Sequence, residues 1–554
     1  MTKEPEWHDV GPAGDAPEGH LRRVEAGGRA VCVGRLGDAW VAFDDTCTHE
    51  ECSLSEGELD GAVVVCPCHG SEFDVRTGDV LTPPALEPLP IYEAQEDSGA
   101  LLVRLAPPPV AEEAAHARDD HVTADQASAV TVSGPDLDGL SLDDVDLTDL
   151  DTWEERVPYD WLALLRRDAP VFWQPEVEGN GFWALSRYDD VVAISKDWET
   201  FSSELGGTSL QDLTPAELEA RKSMLDTDPP PHTRMRGLVN KGFTPRVINT
   251  YEERIRGLAQ GILAAAFEQD EFDWVDSVAA EIPMWVFSEI MGLPVEDRKL
   301  IIELGDKILG NTDPDVVGAE NVVERALRDP KLRMLPFSSP FSLDLIEYGR
   351  ELGEKRRHEP REDITTKLVE AEIEGSRLTE QEFGTMFILL TTAGNETTRH
   401  TISLGLADLL AHPDELARLV ADPSLAGTAA DELLRRAHPV HHFRRTATRD
   451  VELHGRTLRR GDKVTIWYAG ANYDEEKFAD PYRLDVGRAP NRHLTFGLGG
   501  PHFCLGAHLA KLEIKVWLEE MVPYLPRLEL AGEPVRLRSN FFNGIKRMPV
   551  RVAA

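Results

Sequence analysis

Four residues with metal-binding side chains lie in two short segments near the N-terminus. One residue separates Cys47 from His49, two separate Cys66 from His69, and sixteen lie between the two pairs. Each segment therefore offers one thiolate and one imidazole, which are donors for Zn²⁺ or for an iron–sulfur cluster. Zinc fingers more often pair C-x2–4-C with H-x3–5-H. The residues alone therefore predict a metal site, with zinc as the plain interpretation and an unusual spacing for a zinc finger.

These segments carry a family resemblance. The stretch CTHEECSLSEGELDGAVVVCPCHGSEFD resembles the Rieske ferredoxin family over about a hundred residues of this chain. The resemblance implies a [2Fe–2S] cluster with Cys47 and Cys66 on one iron and His49 and His69 on the other.

Four further positions matter within this resemblance. Cys52 and Cys68 stand where some Rieske proteins have a disulfide, and reduced thiols, usual in cytosol, are the alternative. Ser71 matches a residue that donates a hydrogen bond to a cluster sulfur in high-potential members, but Phe73 stands where those members have Tyr. One sulfur-bonding donor fewer predicts a lower reduction potential.

A lone cysteine near the C-terminus lies in HLTFGLGGPHFCLGAHLA. Glycines on both sides allow backbone N–H groups to approach the sulfur, and a following helix N-terminus stabilises a thiolate. A buried cysteine before a helix is the plainer interpretation. The stretch resembles the haem-binding loop of the cytochrome P450 family, which implies that Cys504 is the axial iron ligand and that Phe496 and Gly506 lie in the haem pocket. Phe496 precedes Cys504 by eight residues rather than the usual seven, which resembles bacterial relatives acting on sterols and methyl-branched lipids.

Other motifs of that family follow in its order over about four hundred residues. Glu432 and Arg435 form E-x-x-R on one helical turn. Such pairs usually lie on solvated surfaces. The resemblance implies instead a buried structural network with a third group. It also implies that four cations bind the haem propionates, namely His232, Arg236, Arg445 and His502.

A long apolar segment, FILLTTAGNETTRHTISLGL, turns polar in its middle, which argues against a membrane span. Its AGNETT motif resembles the oxygen-activation motif of the same family. The resemblance implies that Gly394 lets a ligand approach the backbone. It also implies that the Thr397 hydroxyl bonds back to the helix and opens a local bulge, and that Glu396 and Thr397 relay protons. A satisfied polar pair in a helix is the alternative.

The elements that must position these motifs form two regions. The chain has 554 residues, too many for one ordinary domain. Short Val- and Leu-rich runs such as Ala30–Gly34, Trp40–Phe43, Ala62–Val65 and Leu101–Leu105 predict a small all-β domain over residues 1–106. Residues 107–150 are acidic and begin with three prolines, which predicts a flexible linker. Helical patterns dominate 151–554, including Tyr251–Phe267, Glu380–Leu410, Asp414–Ala421 and Leu505–Tyr524, so a mainly α cytochrome P450 fold with a minor β-sheet is expected there.

Composition narrows the function. The chain has 58 Lys and Arg against 99 Asp and Glu, a net charge of −41, which disfavours nucleic acid and anionic membranes. We find neither a signal peptide nor a membrane-span pattern and expect a cytoplasmic protein. His441 and His442 are expected near the substrate channel or at the surface rather than on a metal. Glu113, His116 and His121 spell a non-haem iron motif, but they lie in the predicted linker, which argues against a Rieske non-haem iron oxygenase.

The two resemblances together predict a haem-thiolate monooxygenase with its ferredoxin attached. Haem b and a Rieske cluster are the expected cofactors. Because the sequence has no GxGxxG after a strand, the expected electron source is an external NAD(P)H-dependent flavoprotein reductase. The expected substrates are O₂ and an apolar small molecule, such as a steroid, terpenoid or branched lipid, with an aromatic or polyketide compound as the alternative. An electron-transfer or sensor fusion and a peroxide-driven variant are the alternatives.

Overall fold

The structure is a computed structural model, in which the chain divides into two compact units. One comprises Met1–Ala124 with Leu498–Phe503, and the other comprises Asp125–Gly497 with Cys504–Ala554. The residues it describes are 7–13, 20–37, 39–48, 52–66, 71–82, 85, 87–97, 99–105, 132, 134–177, 179–240, 242–318, 329–373 and 376–553.

The first unit is built of two antiparallel sheets, as its alternating sequence predicts. A six-stranded sheet has the order β1-β10-β9-β4-β3-β2, and a four-stranded sheet has the order β5-β6-β7-β8. The strands are β1 Trp7–Pro12, β2 Leu21–Ala26, β3 Arg29–Leu36, β4 Ala39–Asp44, β5 Glu58–Asp60, β6 Val63–Val65, β7 Glu72–Asp74, β8 Val80–Thr82, β9 Ile91–Asp97 and β10 Ala100–Arg104.

Side chains of alternate strand positions form two apolar clusters in this unit. Cys32 and Phe43 pack in one cluster, together with Cys47, Cys66 and Phe73. Val31 and Val33, which neighbour Cys32 in β3, pack in the other with Ala42 and Val103. Successive side chains of a strand point to opposite faces, so one sheet can supply both clusters.

The second unit is mainly helical. Its α-helices are Leu150–Glu155, Tyr159–Asp168, Tyr188–Lys196, Pro215–Arg221, Pro231–Asn240, Pro245–Asn249, Glu252–Ala266, Glu281–Met291, Arg298–Leu309, Pro314–Val317, Pro330–Arg333, Phe341–His358, Ile364–Glu370, Glu380–Ala411, Pro413–Ala421, Ala426–Ala437, Tyr468–Ala471 and Ala507–Met521. The long helices predicted from sequence are confirmed to within a few residues at each end.

Small sheets accompany these helices. A five-stranded sheet has the order β11-β12-β20-β17-β13, and a three-stranded sheet has the order β14-β24-β21. The strands of this unit are β11 Phe172–Gln174, β12 Phe182–Leu185, β13 Phe201–Ser202, β14 Glu271–Asp273, β15 Glu372–Ile373, β16 Ser376–Arg377, β17 His442–Ala447, β18 Val451–Leu453, β19 Arg456–Leu458, β20 Lys463–Trp467, β21 Leu528–Leu530, β22 Val535–Arg536, β23 Ile545–Arg547 and β24 Pro549–Val552.

The helix Glu380–Ala411, called the central helix below, organises the core of this unit. It begins with a capping box, in which the Thr379 hydroxyl accepts from the Glu382 N–H and the Glu382 carboxylate accepts from the Thr379 N–H. It contacts the helices Glu281–Met291, Arg298–Leu309, Phe341–His358 and Ala426–Ala437. Its buried apolar residues join the main core cluster, so the helix is fixed along much of its length.

The predicted boundary at residue 151 differs from the structure. Val145 and Leu147 are buried in an apolar cluster of the second unit, and Leu137, Leu140 and Leu142 pack against it. Acidic residues lie between these apolar ones, so the composition of the whole segment is acidic and hides the spacing of its apolar side chains. The expectation of an extended linker up to residue 150 is therefore wrong for residues 134–150, while residues 106–131 lie outside the described part.

In the part of the chain that the structure describes, no helix combines the length and apolar character needed to cross a bilayer.

Candidate metal centres and active site

The two cysteines predicted to bind the cluster are both buried in the first unit. Cys47 follows β4 and Cys66 follows β6, and both belong to the apolar cluster around Phe73. The Cys47 N–H donates to the Cys52 carbonyl at 2.9 Å, and the Cys66 N–H donates to the Ser71 carbonyl at 2.8 Å. Each backbone bond closes one loop, which places each thiol at the start of a short loop.

The other predicted ligands, His49 and His69, lie outside the described residues, as does Cys68. Cys52 is disulfide-bonded. Its pairing with Cys68 stays a prediction. Cys32 is fully buried in β3, as expected for a strand residue, and this burial raises the pKa of its thiol.

Ser71 and Phe73 lie beside the Cys66 loop and are both fully buried. The Ser71 hydroxyl accepts from the Ala85 N–H at 2.9 Å. A hydroxyl that accepts one bond still has its own proton to donate. That geometry fits a donor to a cluster sulfur, whereas the Phe73 ring offers no such proton.

Cys504 lies in a tight loop before the helix Ala507–Met521. Its N–H donates to the Phe496 carbonyl at 2.9 Å. Gly497, Gly499 and Gly500 all have positive φ values between 73° and 79°, which explains why glycine stands there. Cys504 is exposed. The protein packed around the thiol raises its pKa. The Gly506 backbone N–H and the charge of Arg236 act in the opposite direction and lower it.

The cations predicted to bind the haem propionates come from separate elements. His232 and Arg236 are buried on the helix Pro231–Asn240, Arg445 is buried on β17, and His502 is partly buried in the cysteine loop. Arg445 donates to the Arg444 carbonyl at 2.8 Å. Burial lowers the pKa of Arg445.

This donor set fits a haem. No carboxylate of the described residues forms a salt bridge with Arg445, and a buried charge without a counter-ion is costly. An anionic group of a ligand would supply that counter-ion. The remaining donor is the Cys504 thiol, whose thiolate form the Gly506 backbone N–H and the charge of Arg236 favour.

Tyr468 is a neighbour of these groups that the sequence did not single out. It is buried, and burial raises the pKa of its phenol. Arg445 and Cys504 both lie close enough to influence that pKa through their charges. Tyr468 directly follows β20, and only the pairing of β20 with β17 brings it near Arg445. The sequence alone therefore did not link it to these groups.

The E-x-x-R pair is a buried network, as the resemblance implies. The Arg435 guanidinium donates two hydrogen bonds of 2.9 Å to the Glu432 carboxylate, and both side chains are fully buried. Arg488 is the third group, with its Nε 3.0 Å from the Glu432 carboxylate. Arg435 also donates to the carbonyls of Asn472 and Pro481. The pair therefore ties one helix to the segment leading toward Cys504.

Glu396 and Thr397 are adjacent in the central helix but have different surroundings. The Thr397 hydroxyl donates to the Ala393 carbonyl at 2.9 Å and borders a large cavity. Glu396 is 2% exposed and lies 2.9 Å from the Arg399 guanidinium, which forms an ion pair with Asp306 at 2.6 Å. The helix stays α-helical across this turn, so the predicted bulge is not present.

The environment of Glu396 favours a proton on its carboxyl. Burial is the main cause and nearby Asp306 adds to it, and together they raise the pKa of Glu396 to about 8 despite Arg399. The same burial lowers the pKa of neighbouring His400 well below its usual value.

Gly394 is packed against Phe287, whose ring lies 3.1 Å from where a Cβ would stand.

The cavity beside Thr397 has a volume of about 1140 Å³. Its lining combines the central helix, the start of β17, the segment Ser539–Phe542 and the residues around Gly207–Leu213. Apolar side chains on this lining are Leu309, Phe337, Ile388, Leu389, Val440, Phe443, Phe541 and Phe542. Such a cavity can hold a sizeable apolar molecule next to Thr397.

His441 and His442 are both buried rather than at the surface. His442 lines the cavity beside Thr397. His441 contacts the Trp153 ring at 4.5 Å. The alternative iron motif of Glu113, His116 and His121 lies outside the described residues.

Comparison with known proteins agrees with this arrangement. The family described as Rieske [2Fe-2S] domain matches residues 6–93, and the family described as Cytochrome P450 matches residues 425–528. The methyl-branched lipid omega-hydroxylase of Mycobacterium tuberculosis is 39% identical over 399 residues, covering 70% of this chain and 90% of that protein. The steroid C26-monooxygenase of Rhodococcus jostii is 37% identical over 410 residues, covering 72% and 83%.

A solved structure is also similar to the second unit. It is a Mycobacterium marinum cytochrome P450 in complex with pseudoionone, with a TM-score of 0.67 and 35% identity. The similarity covers 76% of this chain and 99% of that one.

Proposed function

Since this chain belongs to the cytochrome P450 family and carries a Rieske [2Fe-2S] domain ahead of its P450 domain, we propose that it hydroxylates an apolar small molecule with electrons relayed through its own cluster. The observation that carries the proposal is the apolar cavity of about 1140 Å³ that Thr397 borders. The proposed substrate is a steroid, terpenoid or branched lipid. The names of the two relatives, a lipid hydroxylase and a steroid monooxygenase, support that class.

The residues of this chain that would hold the haem are Cys504 through its thiolate and His232, Arg236, Arg445 and His502 through its propionates. Haem, when bound there, supplies the activation of dioxygen. Cys47, His49, Cys66 and His69 would hold the cluster. Phe496 and Gly506 would shape the haem pocket around Cys504. Gly394 would contribute to that pocket from the central helix.

Protons are the second requirement of such a reaction. Glu396 holds a proton at its carboxyl below about pH 8 because burial raises its pKa to about 8. The Thr397 hydroxyl gives its one proton to the Ala393 carbonyl, so its oxygen can accept a proton at the cavity wall and pass its own on as it turns from that carbonyl. We assign the two residues to a relay, in which Glu396 stores the proton and Thr397 presents one to the cavity.

Electrons must reach the cluster from outside the two domains. The sequence has no GxGxxG after a strand, and the two family matches cover a cluster domain and a haem domain. The proposed donor is therefore an external NAD(P)H-dependent flavoprotein reductase.

Product formation tests the proposal. The full-length protein with a flavoprotein ferredoxin reductase, NADPH and O₂ is expected to hydroxylate members of a steroid, terpenoid and branched-lipid panel. Carbon monoxide binding to the reduced protein should show a thiolate-ligated haem. Product with peroxide alone, or electron transfer without any product across the panel, would contradict the proposal.

A further inference from the structure

One buried imidazole on the cavity wall has no role in the reaction described so far. His442 is the first residue of β17 and is 1% exposed, yet it lines the cavity beside Phe443 and Phe541. Its backbone is fixed by pairing with Trp467 of β20. The ring is therefore held at the cavity by the sheet.

Neither ring nitrogen of His442 has a hydrogen-bond partner among the described residues. Its ring neighbours are the side chains of Trp467 at 4.4 Å and Phe541 at 5.4 Å. The Trp467 indole N–H already donates to the Thr465 hydroxyl at 2.8 Å. A buried polar group that lacks a partner is costly, so the site calls for a ligand atom or water.

Other polar groups of the cavity wall are bound within the protein. The Thr392 hydroxyl donates to the Ile388 carbonyl, the Ser539 hydroxyl accepts from two backbone N–H groups, and the Asn540 amide donates to the Leu147 carbonyl. Among the described lining residues, Gln211 is the other one with a buried side-chain atom that lacks a partner. Gln211 is only half-buried, and its oxygen already accepts from Arg221 and Ser338.

His442 is electrically neutral at physiological pH, because burial lowers its pKa to about 3. A neutral imidazole offers one N–H donor and one acceptor nitrogen. A hydroxyl oxygen can use both, and a carbonyl oxygen can use the donor. A carboxylate at this neutral ring would lie between the Trp467 and Phe541 rings without a counter-charge, which is unfavourable.

We propose that His442 binds an uncharged oxygen, a hydroxyl or carbonyl, of the substrate and so selects oxygen-bearing apolar molecules over hydrocarbons. This inference rests on the proposed function. His442 acts as a specificity-determining residue, because its ring contacts the bound molecule rather than the reacting groups assigned above.

Ligand binding to the full-length haem-loaded protein tests the assignment. The probes are two matched pairs, pristane with pristanol and 5α-cholestane with 5α-cholestan-3-one, and the readout is the dissociation constant from the haem spin-state shift. In the wild type at least one oxygenated member is expected to bind about tenfold more tightly than its hydrocarbon. His442→Phe should remove that preference, and His442→Gln, which keeps a donor and an acceptor, should restore part of it.

His441→Phe is the matched control, because His441 is equally buried and one residue away but does not line the cavity. It should keep the wild-type preference. A preference that survives His442→Phe, or one lost equally in His441→Phe, overturns the inference while leaving the proposed function standing. Binding of both members of a pair with equal affinity in the wild type also overturns it. If no probe binds the wild type, the proposed function fails together with the inference.

Discussion

The hydroxyl of Thr397 borders the cavity, whereas the carboxyl of its neighbour Glu396 lies 2.9 Å from the Arg399 guanidinium in the protein interior. Consecutive residues of an α-helix point about a quarter-turn apart, so one turn of the central helix presents a hydroxyl to the cavity and keeps a carboxyl out of it. The two residues can therefore be tested separately.

Replacing Thr397 by Ala should uncouple electron use from product formation. The variant loses the hydroxyl at the cavity wall, so we expect reductant consumption to continue while product per NADPH falls about tenfold or more and peroxide accumulates. NADPH, product and peroxide are measured together. Thr401→Ala is the control, since Thr401 makes the same kind of bond to a helix carbonyl but does not line the cavity. Unchanged coupling in Thr397→Ala removes Thr397 from the relay.

The relay should depend on pH through Glu396. Its raised pKa of about 8 means that the carboxyl holds a proton below that pH and loses it above. Product per NADPH is therefore expected to fall as pH rises through about 8 in the wild type. Glu396→Gln should give lower coupling that no longer changes over this range. Arg399, Asp306 and His400 lie around this carboxyl, and an identical fall in Glu396→Gln would show that Glu396 is not the source of the pH dependence.

Breaking the buried network at Glu432 should destabilise the haem domain. Glu432→Ala leaves the guanidinium of Arg435 buried without its partner, a loss of about 3–5 kcal/mol. Thermal unfolding followed at the haem band measures it. Arg350→Ala removes an exposed pair with Glu347 and should leave the stability almost unchanged, because solvent screens such pairs. Equal effects of the two variants would contradict a structural role for the E-x-x-R pair.

The cluster potential should respond to residues 71 and 73. Phe73→Tyr adds a hydroxyl near the Cys66 loop and is expected to raise the potential, and Ser71→Ala is expected to lower it. One hydrogen bond of about 0.5–1.5 kcal/mol corresponds to roughly 20–65 mV for one electron. Redox titration of the cluster signal measures both shifts. A Ser71→Ala potential equal to that of the wild type would exclude a Ser71–sulfur bond.

Local spacing predicted the parts of the site that depend on neighbours in sequence. The i, i+3 pair Glu432–Arg435, the positive-φ glycines around Cys504 and the apolar stretch of the central helix are of this kind. Arg488 and Asp306 reach the site only through tertiary packing, so no spacing indicates them. The linker boundary was wrong because Val145 and Leu147 carry the packing while their acidic neighbours dominate the composition.

The central claim is that the cluster and the haem of one chain work as a unit. Cys66→Ser should lose the cluster and keep the thiolate haem, and Cys504→Ser should keep the cluster and lose the thiolate. Each full-length variant is assayed with reductase, and then the two are mixed at nanomolar concentration. Tethering gives the attached donor an effective concentration on the order of millimolar, so the account predicts hydroxylation by the wild type, none by either variant, and almost none by the mixture. Product formation by Cys66→Ser at the wild-type rate, or full activity of the dilute mixture, would contradict it.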